Sequence, residues 1–318
     1  MTARAPRTRL SAPSAVRLTA TAALITTGSL LITGCGGAQS SSAAATAPTA
    51  SALPAPKADA KLAELVPAHL RNAGKVVIAT DASYAPMEYK EADGRIVGVD
   101  VDLGDAIAAK LGLKADFQDA KFDAIIGGIQ AKKYDMSISS FTDTKEREKS
   151  VDMVTYFSAG LAIAVKKGNP KDIDPAQLCG VKVAVQTGTV SADEIKEVRN
   201  PKCKAEGKPL IPNNGHRFEL QTDATTALVA GRDDAMISDS SVVAYAVKQS
   251  GGQIEQLGKR YAVDPSGIVL PKGDGRLTKA VQGAVQALID DGTYTKILTK
   301  WGVQSGALTR AAVNGATG

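Results

Sequence analysis

One short segment of the chain, residues 135–148, carries side chains suited to holding an anion. Its sequence, DMSISSFTDTKERE, places hydroxyls at Ser139, Ser140, Thr142 and Thr144 and a guanidinium at Arg147, all within nine residues. A guanidinium presents a planar fork of N–H donors that fits a carboxylate, and hydroxyls can add further donors. The segment therefore predicts a carboxylate clamp.

Further polar residues stand where other predicted strands end. Asp81 and Tyr84 follow the strand pattern KVVIAT, Gly188 and Thr189 follow VKVAVQ, and Asp239 ends DDAMISD. In open α/β sheets, ligands bind in the crevice beyond the carboxyl ends of the strands, where helix N-termini also attract anions. A carboxylate clamp, two acids and an aromatic ring together suit a free α-amino acid, which has a carboxylate, an ammonium and a side chain.

Each of these residues also has a purely structural explanation. Hydroxyls at strand ends commonly cap helices. Arg147 lies within KERE and could belong to an exposed lattice of charges, while Tyr84 and Phe122 could be ordinary core residues. The joint arrangement at successive strand ends favours a ligand site.

The elements that would position these residues alternate along the chain. Strand patterns occur in KVVIAT, DMSIS, GLAIAVKKG, VKVAVQ, DDAMISD and GIVLPKG, with helical patterns between them. The helical pattern GVDVDLGDAIAAKLGL has Asp100 or Asp102 available to cap its start. This alternation predicts an α/β chain with mostly parallel sheets, folded from about Arg71 onward.

The N-terminus has the composition of an export signal. Residues 1–34 contain four arginines and no acid, and the apolar run over 18–33 is short for a membrane span. The run ends in LITGC, which resembles a bacterial lipobox and predicts a lipoprotein signal peptide over 1–34 with lipid on Cys35. An ordinary signal peptide with an incidental cysteine is the alternative. Residues 35–60 are rich in small side chains, so we expect a disordered tether.

Three cysteines leave one unpaired in an exported protein. With lipid on Cys35, Cys179 and Cys203 remain, and an exported location favours a disulfide between them over two buried thiols. It would close a loop of roughly 25 residues and stabilise the fold by about 3 kcal/mol.

Composition and missing motifs argue against several classes of function. The 318 residues are 44% apolar and 22% charged, which is typical of a globular protein. Without residues 1–34, the chain has 34 basic and 33 acidic side chains, so nucleic-acid binding has no electrostatic basis. The sequence lacks metal-ligand spacing, a nucleophile elbow, a phosphate-binding loop and a dinucleotide fingerprint. We therefore expect no metal, no cofactor and no catalytic residue.

Five segments occur in order between about residues 71 and 301: TDASYAPMEYKEADGRIVGVDVDLGDAIAAKLGL, FDAIIGGIQAKKYDMSISSFTDTKEREKSVDMVTYFSAG, VKVAVQTGT, GRDDAMISDSSVVAYAV and DGTYTKILTKWG. They resemble the family 3 solute-binding proteins, the polar amino-acid receptors of ATP-binding-cassette (ABC) importers. The positions of Cys179 and Cys203 are similar to those in an actinobacterial branch of that family.

The resemblance implies a type II periplasmic-binding-protein-like clamshell. Each of its two lobes would be a mostly parallel sheet flanked by helices, and two crossing hinge strands would join them. Lobe 1 would comprise residues 71–164 plus 266–306, and lobe 2 would comprise residues 168–262.

The same resemblance implies roles at the backbone end of the ligand. Arg147 matches the residue that binds the ligand carboxylate, with Ser140 and Thr142 in support; Ser139 is a candidate for the same site because it follows the strand pattern DMSI. Asp239 matches the acid that takes the α-ammonium.

Other positions match the family's side-chain pocket. Tyr84 and Phe122 match the aromatic residues that enclose the ligand side chain, and Asp81 matches an acid lining that pocket.

One position departs from the family pattern. The family often has Gly-Thr-Thr where this chain has Gly188, Thr189 and Val190. We therefore expect lobe 2 to hold the carboxylate by backbone N–H groups alone.

The predicted function is that of an extracytoplasmic receptor, which binds a polar or charged L-amino acid between two lobes and delivers it to a membrane permease. We expect a monomer, held on the outer face of the cell membrane by the lipid on Cys35. Asp81 suits a cationic side chain but can also accept a hydrogen bond from an amide, so the ligand stays open. The alternative function is an enzyme on the same scaffold, such as a cyclohexadienyl or arogenate dehydratase, with Asp81 or Asp239 as acid or base.

Overall fold

The structure is a computed structural model, and it describes residues 55–317. The expected signal peptide, Cys35 and most of the expected tether lie outside the described residues. Among residues 55–317, no helix combines the length and the apolar character needed to cross a bilayer.

The described part of the chain contains eleven strands, which form an eight-stranded sheet and a small three-stranded sheet. They are β1 (Lys75–Thr80), β2 (Ser83–Tyr84), β3 (Glu88–Lys90), β4 (Ile96–Val97), β5 (Lys114–Asp119), β6 (Met136–Ser137), β7 (Val151–Lys166), β8 (Val183–Gln186), β9 (His216–Phe218), β10 (Ala235–Asp239) and β11 (Ile254–Pro271).

The large sheet has two parallel flanks joined by two long antiparallel strands. Its order is β5-β1-β6-β11-β7-β10-β8-β9. We call β5, β1 and β6 the first flank and β10, β8 and β9 the second flank; the strands run parallel within each. The central strands β7 and β11 pair with each other along almost their whole length, with register shifts midway. The predicted α/β class with mostly parallel strands is confirmed.

Helices cover both flanks of the large sheet. They are α1 (Ala60–Leu65), α2 (Ala68–Ala73), α3 (Val99–Lys110), α4 (Phe122–Gln130), α5 (Lys145–Glu148), α6 (Val190–Glu194), α7 (Asn200–Ala205), α8 (Gln221–Val229), α9 (Ser240–Gln249), α10 (Gly275–Asp290) and α11 (Thr293–Trp301). A π-helical turn, Ile195–Arg199, joins α6 to α7.

Each flank has its own apolar core. Ile78 of β1 and Ile107 of α3 are buried in a cluster that belongs mainly to the first flank. Val185 of β8 and Ile237 of β10 are buried in a cluster of the second flank. Near-continuous apolar runs in β1, β8 and β10 are what parallel strands covered on both faces require.

The fold begins earlier than the sequence predicts. Helix α1 precedes Arg71 and α2 begins at Ala68, and Val66 and Leu70 are buried in the first-flank core. Leu62 lies so close to Gly283 of α10 that a β-carbon there would be 2.5 Å from Leu62 Cδ2. These few apolar residues lie in two short helices, too short for a clear periodic pattern.

The predicted capping of α3 by an aspartate is wrong. Gly98 is the N-cap residue, and no side chain caps the helix. Asp100 turns inward and accepts hydrogen bonds from Tyr156 and Ser140, while Asp102 accepts them from Lys300 and Trp301. Both acids are used in tertiary contacts that no local pattern encodes.

The predicted disulfide is present. It joins Cys179 to Cys203 in α7, with their Cα atoms 5.6 Å apart and a sequence separation of 24 residues. It therefore anchors α7 to the loop that precedes β8.

Replacing both cysteines with serine should lower the free energy of unfolding by about 3 kcal/mol, because the unfolded chain loses its cross-link. Urea unfolding of the oxidised and substituted forms measures the difference. Adding a reductant should shift the native protein in the same direction and leave the serine variant unchanged. Equal midpoints for the oxidised native protein and the serine variant would contradict the expectation.

Candidate ligand-binding site

The predicted site residues converge beyond the carboxyl ends of four strands. Asp81 directly follows β1, Ser139 and Ser140 follow β6, Gly188 follows β8, and Asp239 is the last residue of β10. Because β1 and β6 belong to the first flank and β8 and β10 to the second, the site lies between the two flanks. This is the crevice that open α/β sheets use for ligands.

Asp81 is buried, and its carboxylate accepts hydrogen bonds from both flanks. Ser83 Oγ donates to Oδ1 at 2.5 Å, and the Phe122 amide donates to Oδ2 at 3.0 Å. Gln186 Nε2, from the end of β8, also donates to Oδ2 at 3.0 Å. Burial raises the pKa of Asp81, while the hydrogen bonds from Ser83 and Phe122 act in the opposite direction.

The guanidinium of Arg147 spans the two flanks. Its Nη1 donates to the Thr142 carbonyl at 2.8 Å, and its Nη2 donates to the Gly188 carbonyl at 3.0 Å. The residue sits in the one-turn helix α5, where Thr144 Oγ1 accepts a hydrogen bond from the Arg147 amide. Both guanidinium bonds go to neutral carbonyls, which a carboxylate could replace with a stronger charge-assisted pair.

Aromatic rings support Arg147 from one side. Phe122 and Phe141 stack with their centroids 4.1 Å apart and their planes 15° apart. Arg147 Cζ lies 5.0 Å from the Phe141 centroid and 5.8 Å from the Phe122 centroid, within the range of a cation–π contact. Phe122 thus contacts the clamp residue as well as lining the site.

Tyr84 and Asp239 meet across the crevice. The Tyr84 hydroxyl accepts hydrogen bonds from Ser238 Oγ at 3.1 Å and from the Asp239 amide at 3.3 Å. Asp239 is 6% exposed, and burial raises the pKa of its carboxyl to about 7, while Tyr84 and Arg147 act to lower it. A buried carboxyl with such a pKa would gain from a cationic partner.

The second flank contributes a tight turn and a helix start. Thr189 is the N-cap of α6. Its hydroxyl accepts a hydrogen bond from the Ala192 amide and donates one to the Gln186 carbonyl. Gly188 has φ +78°, and a β-carbon there would lie 2.9 Å from Asp123 Cβ. Glycine is therefore required both for the turn and for the approach of α4. The Thr189 hydroxyl is occupied by capping, and its neighbour Val190, which also lines the site, has no hydroxyl.

A buried acid pair behind the site was missed by the sequence analysis. Ser139 Oγ accepts from the Asp81 amide and donates to Glu88 Oε1, while Ser140 donates to Asp100 through its amide and its hydroxyl. Burial raises the pKa of Asp100 to about 6 and that of Glu88 well above its usual value, and the neighbouring Asp100 carboxylate raises the pKa of Glu88 further. The two serines are positioned by this pair.

Three further polar residues, Gln186, Gln221 and Ser83, join the flanks and were not singled out from sequence. The backbone amide of Gln221 donates to Ser83 Oγ at 3.0 Å. Gln186 could have been found as the last residue of the predicted strand VKVAVQ, where a polar side chain interrupts an apolar run. Gln221 and Ser83 carry no comparable signal.

The flanks are closed over the site. The space bounded by Tyr84, Phe122, Ser140, Thr142, Arg147, Thr189, Val190, Ser191 and Asp239 measures about 10 Å³. That space holds about one water molecule at most. A neighbouring cavity of about 140 Å³ also reaches Asp239 and Thr142. An amino acid would therefore have to displace cross-flank contacts on entry.

The described residues contain no group of three or more His, Cys, Asp or Glu side chains placed to hold a metal ion. The geometry instead offers hydrogen-bond donors and charges to an organic ligand: a guanidinium, two buried carboxylates and an aromatic wall.

Known proteins share both the sequence and the fold. The arginine-binding protein ArgT of Corynebacterium glutamicum is 37% identical over 250 residues, which cover 79% of this chain and 81% of that protein. A solved structure of an ancestral arginine-binding protein bound to arginine is 36% identical, with a TM-score of 0.64, and covers 72% of this chain and 98% of that one.

A second solved structure is an ancestral amino acid-binding protein described as a precursor of cyclohexadienyl dehydratase. It is 35% identical, with a TM-score of 0.66, and covers 73% of this chain and 97% of that one. The family model described as bacterial extracellular solute-binding proteins, family 3, matches residues 76–304. The chain thus belongs to the family 3 bacterial extracellular solute-binding proteins.

Proposed function

We propose that this protein is the receptor of an ABC importer for an L-amino acid with a cationic side chain, with L-arginine as the first candidate. The observation that carries the proposal is the buried carboxylate of Asp81, which accepts hydrogen bonds from Gln186 and from the amide of Phe122, a residue that lines the crevice with Arg147 and Asp239. The names of similar proteins, which include arginine-binding proteins, support the same ligand class.

The proposal divides the fold into two lobes that part and close on the ligand. Lobe 1 comprises residues 71–164 plus 266–306, lobe 2 comprises residues 168–262, and β7 and β11 pass between them as the hinge. The separate apolar cores of the two flanks support this division. A ligand that contacts both lobes favours the closed form, which then docks on the permease.

The ligand carboxylate is assigned to Arg147. In the closed structure, its guanidinium bonds to the carbonyls of Thr142 and Gly188. A carboxylate placed there gains the charged fork, with donors from Ser140 or Thr142 and backbone N–H groups at the start of α6 beside it. The ammonium is assigned to Asp239, whose carboxyl is buried and whose pKa burial raises, so that a cationic partner would stabilise its ionised form.

The ligand side chain is assigned to the pocket of Tyr84, Phe122 and Asp81. A guanidinium or ammonium would compete with Gln186 Nε2 for Asp81 Oδ2. Because an ion pair in a buried site is stronger than the neutral amide bond it replaces, a cation is favoured over an amide such as that of glutamine.

Membrane attachment completes the proposal. Cleavage before Cys35 and lipidation of that residue would hold the receptor on the outer face of the membrane, with the segment before α1 as the tether. Radiolabelled palmitate incorporation, lost in Cys35→Ala, tests this part separately.

The proposal is tested by titrating the domain 55–318 with each L-amino acid and following its melting temperature. A ligand at 100 times its Kd should add about 2.7 kcal/mol of stability. Arginine and lysine should give the largest shifts, and Arg147→Ala should abolish them. If only glutamine or asparagine responds, the cationic class is wrong; if no amino acid responds, the receptor proposal fails, and turnover of prephenate or arogenate would then favour a dehydratase.

Asp81→Asn should separate charge pairing from hydrogen bonding. The substitution keeps an acceptor but removes the charge, so arginine affinity should fall about 10- to 100-fold, while any glutamine affinity changes little. Calorimetric titration with both ligands measures the difference. An equal loss for both would mean that Asp81 acts as a structural acceptor only.

Binding should become weaker at acidic pH. The ammonium needs the ionised form of Asp239, whose pKa is raised to about 7, so binding below that pH must release a proton. Affinity should fall as pH drops from 7 to 5, by up to about tenfold per pH unit, and level off above pH 8. Calorimetry at pH 6 in buffers of different ionisation enthalpy should detect the proton; no proton release there would contradict this role for Asp239.

A further inference from the structure

The chain continues beyond the family match and the expected lobe boundary as an ordered segment. The family match ends at residue 304, and residues 307–317, which we call the C-terminal strap, run along the amino-terminal half of β7. The Thr155 amide donates to the Ala312 carbonyl at 2.9 Å, and the Asn314 amide donates to the Met153 carbonyl at 2.8 Å. The strap thus covers an edge of β7 that β10 does not reach.

The end of the strap bonds to the loop that carries Arg147. The Gly315 amide donates to Asp143 Oδ2 at 2.7 Å, and the Ala316 amide donates to Glu148 Oε1 at 3.1 Å. Asp143 is 1% exposed, and Glu148 closes the single turn of α5. The two acceptors lie on either side of Arg147 in sequence. Two strap amides therefore hold both ends of residues 143–148, which we call the clamp segment.

Gly315 fits this position because of its size. A β-carbon there would lie 2.9 Å from Thr155 Cγ2, closer than side chains normally approach. The missing side chain lets the strap backbone come close enough to bond to a buried carboxylate.

The last contact of the strap reaches the central strands. Thr317 Oγ1 donates to Asp264 Oδ1, and Asp264 pairs with Ala159 where β11 and β7 cross between the flanks. Asp264 also lines the cavity of about 140 Å³ that borders Asp239 and Thr142. The C-terminal strap therefore contacts both the clamp segment and the proposed hinge.

We infer that the C-terminal strap is a positioning element for ligand binding, which holds the 143–148 segment so that the Arg147 fork faces the crevice. The inference rests on the proposed function, because the ligand carboxylate is the partner of Arg147. The strap amides act through Asp143 and Glu148 and touch no ligand. A strap that only covered the edge of β7 would contribute stability without affecting affinity.

The test compares two proline substitutions, each of which removes one amide donor. Ala316→Pro removes the donor to Glu148 and leaves Gly315, where a β-carbon does not fit, unchanged. Ala312→Pro is the matched control, because the Ala312 amide donates to Thr155 Oγ1 and not to that segment. The first variant should bind L-arginine about tenfold more weakly by calorimetry, and the control should bind as the native protein does.

A double-mutant cycle separates positioning from a general loss of stability. In an Arg147→Lys background, Ala316→Pro should change arginine affinity by less than about twofold, because the fork that the strap positions is absent. The same loss in both backgrounds, or unchanged affinity in the native background, overturns the inference. If the native protein binds no amino acid at all, the proposed function fails instead.

Hydrogen exchange gives a test that needs no variant. Because coupling between sites is reciprocal, saturating L-arginine should slow exchange of the Gly315 and Ala316 amides by at least about fivefold, and that of the Ala312 amide by less. Equal exchange rates at Gly315 and Ala316 with and without arginine would show that the strap is not coupled to the site.

Discussion

The structure depends on keeping charged groups out of water in one narrow crevice. Asp239 is buried there and Arg147 lines the same space, while the buried Asp81 carboxylate accepts a hydrogen bond from the amide of Phe122, which lines that space too. Charges in such a position need partners, since desolvation without compensation costs several kcal/mol per ion. Asp81 and Arg147 bond across the crevice to Gln186 and the Gly188 carbonyl, and these contacts hold the two flanks together. An amino acid carries the opposite charges in one molecule, so it can replace these weaker contacts with stronger ones.

The sheet topology brings these groups together. Two parallel flanks place the carboxyl ends of β1, β6, β8 and β10 at one crevice, although these strands are far apart in sequence. The long strands β7 and β11 connect the flanks and are paired over most of their length. Each strand needs only a buried apolar run and a polar residue at its end, because the sheet topology then brings these polar residues together. This arrangement suits binding by closure, because each flank carries only part of the site.

Much of the site could be predicted from sequence because its residues follow strands directly. Asp81, Ser139, Ser140, Gly188 and Asp239 each stand at a strand end, where alternation and turn chemistry are readable within a few residues. The disulfide was predictable from cysteine number and compartment.

Contacts between distant segments could not be predicted in this way. The Gln186–Asp81 bond joins residues 105 positions apart, and the Glu88–Asp100 pair depends on how the small three-stranded sheet packs on α3. The inward turn of Asp100 overrode its expected capping role, because tertiary hydrogen bonds gave it better partners than the helix start. The strap could not be predicted for the same reason, because the roles of Gly315 and Ala316 depend on contacts with the distant residues 143–148.

The most direct measurement of the central claim is a high-resolution crystal structure of residues 55–318 with bound L-arginine. The account predicts that the ligand guanidinium bonds to Asp81 Oδ2 in place of Gln186, that its carboxylate takes the Arg147 fork from the Gly188 carbonyl, and that its ammonium contacts Asp239. A ligand bound elsewhere, or one bound in the crevice while Arg147 still bonds to Gly188 and Gln186 to Asp81, would contradict it.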